Sequence, residues 1–238
     1  MLATLFNEIL YRPILNALVF IYNNIPDFGI AIILLTILIR FVLYPLSYKS
    51  IKSRKELSKL QPKIKEVQKK FKEKEEQTKE LMKVYKEHNI NPLSGCLPIL
   101  IQLPILIALY RVLINVLEPG SLELLYPFVS SPGSINPSFL GLMDLSAPSA
   151  VLAILAGVSQ FFYSKIMMKH SPSPQPGNQK GMQQVMSKQM VYIMPVITVF
   201  IAWNFPAGLP LYWIVSTVIG FLQENYLFKK NGKDQKKN

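Results

Sequence analysis

The sequence predicts an all-α integral membrane protein with five transmembrane helices, an N-terminal interfacial helix and a cytoplasmic helical hairpin. Three observations carry that prediction. Half of the 238 residues are apolar, and they fall in long blocks rather than scattered along the chain. The net charge is +12 but unevenly spread: residues 48–88 hold 14 Lys and Arg against 7 Asp and Glu. Residues 117–148 hold no Lys or Arg at all. A basic chain can signal nucleic-acid binding. Here the basic segments alternate with membrane-length apolar runs, so the charge reports topology, and DNA is not an expected partner.

Residues 1–27 are apolar but interrupted by Glu8, Arg12 and Pro13, with Tyr11 and Tyr22 near the ends. That mixture suits a helix lying in the membrane interface, external to the bilayer core. A sixth span is the alternative. The stretch ends without a small-residue cleavage site, so no removable leader is expected. Residues 28–47 follow as the first span, with one charge, Arg40, in nineteen residues from Phe28 to Leu46. At about 1.5 Å per residue, that length matches the roughly 30 Å of hydrocarbon in a bilayer.

Residues 48–91 change character. Leu57, Leu60, Ile64, Val67 and Phe71 step by three and four, a narrow apolar seam of coiled-coil type. Pro62 should start or kink a helix inside it. A second stripe at Leu81, Val84 and Tyr85 follows a polar break, so two short charged helices folded as a hairpin are expected, against a plain solvated loop. Asn91-Pro92 closes this segment, and residues 92–117 form the second span; Pro98 and Pro104 are tolerable there because neighbouring helices can satisfy the freed backbone. Cys96, the single cysteine, reads as a small buried thiol.

After Pro119-Gly120 comes an external loop, 118–148, and a third span at 149–168. A polar connector, 169–188, precedes two closely spaced spans at 189–205 and 208–228, joined by a turn at Asn204–Gly208. The tail 229–238 carries five lysines and one aspartate. With five spans, the basic segments 48–91, 169–188 and 229–238 share one face. The positive-inside rule then puts the N-terminus outside and the C-terminus in the cytoplasm, in the inner (cytoplasmic) membrane.

Chemistry is sparse. His88 and His170 fall in the connectors and read as solvated, no Ser/His or Asp/Asp pair lies at membrane depth, and no phosphate-binding glycine loop is present. No enzyme activity, cofactor or metal is expected. Arg40 is the informative residue. An arginine at the centre of a span costs about 2.5–3.5 kcal/mol on insertion scales, and no acid lies near its depth in another span. Either it snorkels to the interface, two turns away, or polar groups and water surround it. Thr36 lies one turn earlier on the same face. Gln102, Gln160 and Asn204, with the aromatic pair Tyr212 and Trp213, occupy other spans or their ends. Singly, each fits a helix-packing hydrogen bond; as a set they fit a wet cavity around one positive charge, suited to polar or acidic segments of a passing polypeptide.

Several stretches also resemble a known family. TILIR (36–40), PLS (45–47), LQPKIKEVQKKF (60–71), NPLSGCLPILIQLPILIALY (91–110) and FPAGLPLYWIVS (205–216) are similar, in order and spacing, to the YidC/Oxa/Alb family of membrane protein insertases, over residues 5–228. The resemblance implies a five-helix core with a hydrophilic groove, open to cytoplasm and lipid and closed to the outside. It implies that Arg40 is the groove arginine, with Thr36 beside it and Gln160, Tyr212 and Trp213 at groove positions. The charged hairpin matches the family's mobile cytoplasmic helices, which receive substrates. Implied partners are nascent membrane proteins, the lipid bilayer, the Sec translocon and the ribosome. The sequence departs from many relatives in lacking a counterpart of their large external domain, and its basic tail is short. The rival function, a small transporter, would need paired intramembrane ionisable residues and internal repeats.

Overall fold

A computed structural model describes residues 2–71, 73–88, 90, 97–118, 121–170 and 189–234. Cys96, Asn91-Pro92, Pro119-Gly120, most of the 169–188 connector and the last residues of the tail lie outside them. The chain divides into two compact units, one of Met1–Leu43, Ile99–Gln160 and Pro195–Ile219, the other of Tyr44–Pro98, Phe161–Met194 and Gly220–Asn238.

The first unit begins with α1 (Leu2–Phe6), a π-helical turn at Asn7–Tyr11, and α2 (Arg12–Asn24). The π turn has a local cause. Pro13 has no N–H, and its ring would press on the carbonyl four residues back, so the helix widens by one residue just before it. On α2, Ile14, Leu15, Leu18, Val19 and Tyr22 are buried, one stripe at helical spacing. Asp27 then caps α3 (Phe28–Val42), its Oδ1 accepting from the Ile30 N–H at 2.8 Å. The buried face of α3, Phe28, Ala31, Ile32, Leu35 and Thr36, packs on α2.

Helix α7 (Leu97–Asn115) adds Ile105, Ala108, Leu109, Val112 and Leu113 to the same core, and the helix carries Pro104 within it. Helices α8 (Ala150–His170), α9 (Met194–Trp203) and the start of α10 (Gly208–Asp234) complete the unit. These helices are apolar on their outward faces too. Phe41, Val42, Leu100, Val151, Val196 and Phe200 are all exposed, the all-round apolarity of helices whose surroundings are lipid.

Close approach of α8 and α9 depends on Gly157. A Cβ there would lie 2.2 Å from Cγ2 of Val199 and 3.1 Å from the Pro195 carbonyl oxygen, the small-residue contact by which membrane helices gain dispersion energy. Gly157→Leu is expected to force the helices apart at a cost of about 1–3 kcal/mol. Thermal unfolding in detergent measures it, and an unchanged midpoint would show that the contact is not made.

Residues 121–148 hold a 3₁₀ turn (Ser121–Leu124) and a two-stranded antiparallel ribbon of β1 (Ser138–Phe139) and β2 (Met143–Asp144). This segment is tied along α2. Asn16, buried, donates to the Leu124 carbonyl at 3.2 Å and accepts from the Tyr126 N–H at 2.6 Å. Asn23 donates to the Ser130 carbonyl, and the Tyr22 hydroxyl accepts from the Asn136 N–H. The turn before α10 is held by Ala207 and Gly208, whose N–H groups donate to the carbonyls of Ala147 and Leu145.

Among the described residues, the first stretch of the second unit forms α4 (Tyr44–Lys59), α5 (Gln61–Lys70) and α6 (Lys74–Glu87). The break between α4 and α5 falls at Pro62, where the sequence placed a helix start or kink. This proline sits in the first turn of α5, where a missing N–H costs nothing. Leu57, Leu60 and Ile64 are buried as the seam requires, and α5 packs on α6. Gln77 stitches the turn between them by donating to the carbonyls of Gln68 and Phe71. His88 is exposed, bonded to Lys63 and to the Val84 carbonyl.

One buried ion pair fixes this unit. Arg54 Nη2 lies 2.6 Å from Oε2 of Glu224, with side-chain exposures of 5% and 0%. Nothing local in the sequence announces this pair, because it joins residues 170 positions apart.

By length and apolarity, two helices among the described residues can cross a membrane, Ala3–Asn24 and Ala150–Met168, or three if α3 and α4 count as one span. Leu100–Asn115 and Val191–Trp203 are shorter apolar helices.

Candidate functional site

Two polar pairs lie in the first unit on one face of α10. Arg40, half-buried on α3, donates from Nε at 2.9 Å and from Nη2 at 2.6 Å to the single hydroxyl oxygen of Ser216. Ser216 is itself buried. One turn earlier on α10, about 6 Å along the axis, the buried Tyr212 hydroxyl accepts from Nε2 of Gln102 on α7 at 2.6 Å. Three helices thus converge on a polar seam within an apolar unit.

Electrostatically, the seam is one-sided. Among the described residues no carboxylate lies within ion-pair distance of Arg40. Hydrogen bonds to a charged group contribute about 1.5–3 kcal/mol each, so Ser216 offsets much of the cost of holding a guanidinium at this depth. A guanidinium has five N–H donors. Two are directed to Ser216, and the other three have no protein partner among the described residues. The side chain is anchored and still has unused donors to offer.

Of the residues singled out from sequence, Arg40, Gln102 and Tyr212 enter this seam. Thr36 is fully buried one turn before Arg40, but its hydroxyl donates to the Ile32 carbonyl at 2.6 Å, so its donor is committed to its own helix. Gln160 and Trp213 are half-buried, on α8 and α10. Asn204 is exposed and bonds back to the Phe200 carbonyl. Sequence reasoning missed Ser216. The available signal was its position four residues after Tyr212, which puts both hydroxyls on one helix face.

Comparison with known proteins agrees with this architecture. The family model of the 60Kd inner membrane protein matches residues 20–235. A membrane protein insertase YidC of Fusobacterium nucleatum is 34% identical over 226 residues, covering 93% of this chain and 98% of that one. The YidC of Geobacter metallireducens is 35% identical over 223 residues, which are 92% of this chain but 37% of that protein; the chain spans little more than a third of such longer relatives. Among solved structures, one titled an active YidC insertase crystal structure with the first transmembrane domain resolved superposes with a TM-score of 0.58 at 30% identity, over 89% of this chain and 45% of that one. With a family model matched over most of its length and a full-length relative above 30% identity, the chain belongs to the 60Kd inner membrane protein family.

Proposed function

We propose that this protein is a membrane protein insertase, assisting newly made membrane proteins into the bilayer and in folding there, alone or beside the Sec translocon. The observation that carries the reading is Arg40, a cation held by a neutral hydroxyl, with three N–H donors that have no partner among the described residues. An intramembrane cation without an acid partner is a site for something that arrives. The polar or acidic segment of an incoming protein would exchange water for Arg40 and the seam, while its apolar helix moves sideways into lipid. Burial at about 25 cal/mol per Å² completes the transfer. Gln160 and Trp213 are further groove residues of this proposal, reached as a substrate extends beyond the seam. The transporter reading has no support in the family or in the relatives' names.

The topology proposed with it has five spans, at 28–47, 92–117, 149–168, 189–205 and 208–228. Residues 48–91, the 169–188 connector and the tail lie in the cytoplasm, where the ribosome would approach, and the N-terminus lies outside. Ala3–Asn24 has the length of a span, yet its bonding supports an interfacial position. From Arg12 to Asn23, about 16 Å of helix, α2 is hydrogen-bonded to the irregular segment 124–136. Were α2 to cross the bilayer, that irregular backbone would cross with it, which the hydrocarbon core does not tolerate.

The test is insertion of a small, single-helix substrate with an acidic outer tail into vesicles containing or lacking the purified protein, read by protection of the tail from added protease. Protection that rises with protein content is expected. Equal protection with and without the protein would sink the insertase reading.

A further inference from the structure

Residues 138–143, Ser-Phe-Leu-Gly-Leu-Met, form the tip of the β1–β2 ribbon and carry no charge. Leu140 (φ 53°) and Gly141 (φ 69°) are both left-handed, and the Leu142 N–H donates to the Phe139 carbonyl. Such tight hairpin turns normally take Asn-Gly or Asp-Gly, because a positive φ is costly for most side chains. Here a leucine occupies the place that favours asparagine. Leu140 and Leu142 are 58% and 87% exposed. A strained, exposed apolar turn has no account in folding alone.

Its position supplies one. Asp27 holds two things at once: Oδ1 caps the first turn of α3, and Oδ2 accepts from the Leu140 N–H at 2.6 Å. Phe139 lies directly on that turn, where a Cβ at Gly29 would meet its ring at 2.1 Å. The ribbon tip is therefore fixed at the depth where the apolar run of α3 starts, the level at which a span enters the bilayer. The surrounding stretch, 117–148, carries no Lys or Arg to hold it in water.

We propose that Leu140 and Leu142 form an interfacial anchor that dips into the acyl–headgroup boundary of the leaflet at which α3 begins. Its ligand is lipid hydrocarbon, and Asp27 is the clamp that sets its depth. The proposal rests on reading α3 as a membrane span. An anchor of this kind fixes the loop against the bilayer while other parts of the chain work.

The experiment uses the full chain with Cys96→Ser, the sole native cysteine, and a nitroxide label at Leu142→Cys. Matched labels sit at Ile37→Cys on the exposed face of α3 and Ser131→Cys on the loop. In vesicles of phosphatidylethanolamine and phosphatidylglycerol, collision with oxygen is compared with collision with a water-soluble nickel chelate. The expected result is an oxygen-to-nickel ratio several-fold higher at 142 and 37 than at 131. Adding Asp27→Ala should make the label at 142 mobile and wet. If 37 is protected and 142 behaves like 131, the anchor is overturned while the span stands. If 37 also behaves like 131, the span reading falls and takes the anchor with it. Protection at 142 with spin–spin broadening that grows with protein-to-lipid ratio would mean that a second copy covers the turn, which also overturns the lipid assignment.

Discussion

Arg40→Ala is expected to slow insertion of an acidic-tailed substrate roughly ten- to hundredfold, from the loss of one charge-assisted contact of about 1.5–3 kcal/mol at ~1.4 kcal/mol per decade. Arg40→Lys should keep most of the activity. An ammonium supplies the charge and can still reach the Ser216 hydroxyl, though it offers fewer donors and no planar fork. Ser216→Ala separates charge from placement: the guanidinium remains but loses its anchor, so a partial loss is expected. The check is the rate at which the substrate tail becomes protease-protected, with each variant reconstituted at equal protein content. Should all three variants insert at the wild-type rate, the arginine mechanism is wrong, and the polarity of the seam alone must lower the barrier. Substrates with neutral tails should be much less sensitive to Arg40→Ala, since they gain little from the charge.

The second large effect concerns stability. Arg54→Met and Glu224→Leu, made singly, are each expected to destabilise the second unit by about 3–5 kcal/mol, because either change leaves a buried charge without its counterpart. Arg54 is the more exacting partner. Its Nε and Nη1 have no hydrogen bond among the described residues, so Glu224 is its anchor there. The double variant Arg54→Met/Glu224→Leu should recover much of the loss, since a buried pair replaced by apolar groups of similar volume is often neutral or better. Thermal unfolding of the four proteins in the same detergent forms the cycle. Additive losses in the double variant would show that the two residues are not coupled.

These two sites differ in how far the sequence reveals them. Arg40 stands out because a lone cation in nineteen apolar residues is costly wherever it ends up, and cost is readable without coordinates. Ser216 does not stand out. A serine in a membrane helix is ordinary, and its hydroxyl becomes half of a site only when α3 and α10 bring it within 2.6 Å of Arg40. Arg54 and Glu224 were equally hidden. Each reads as one more charge at the end of a helix, and nothing local announces a partner 170 residues away.

What the sequence determined by itself was whatever depends on composition and local period. Apolar runs of bilayer length predicted helices and a membrane setting, the three-four stripe predicted the buried seam at Leu57, Leu60 and Ile64, and Pro62 predicted a helix boundary. Family membership was legible for the same reason, as short motifs in a fixed order. The tertiary structure alone decided which polar groups meet. It laid the 124–136 segment along α2, committed the Thr36 hydroxyl to its own backbone, and clamped a leucine turn to Asp27. Hydrophobic burial is non-directional and follows from which residues are present. Hydrogen bonds and ion pairs are directional and short, and their partners are fixed only when distant parts of the chain come within about 3 Å.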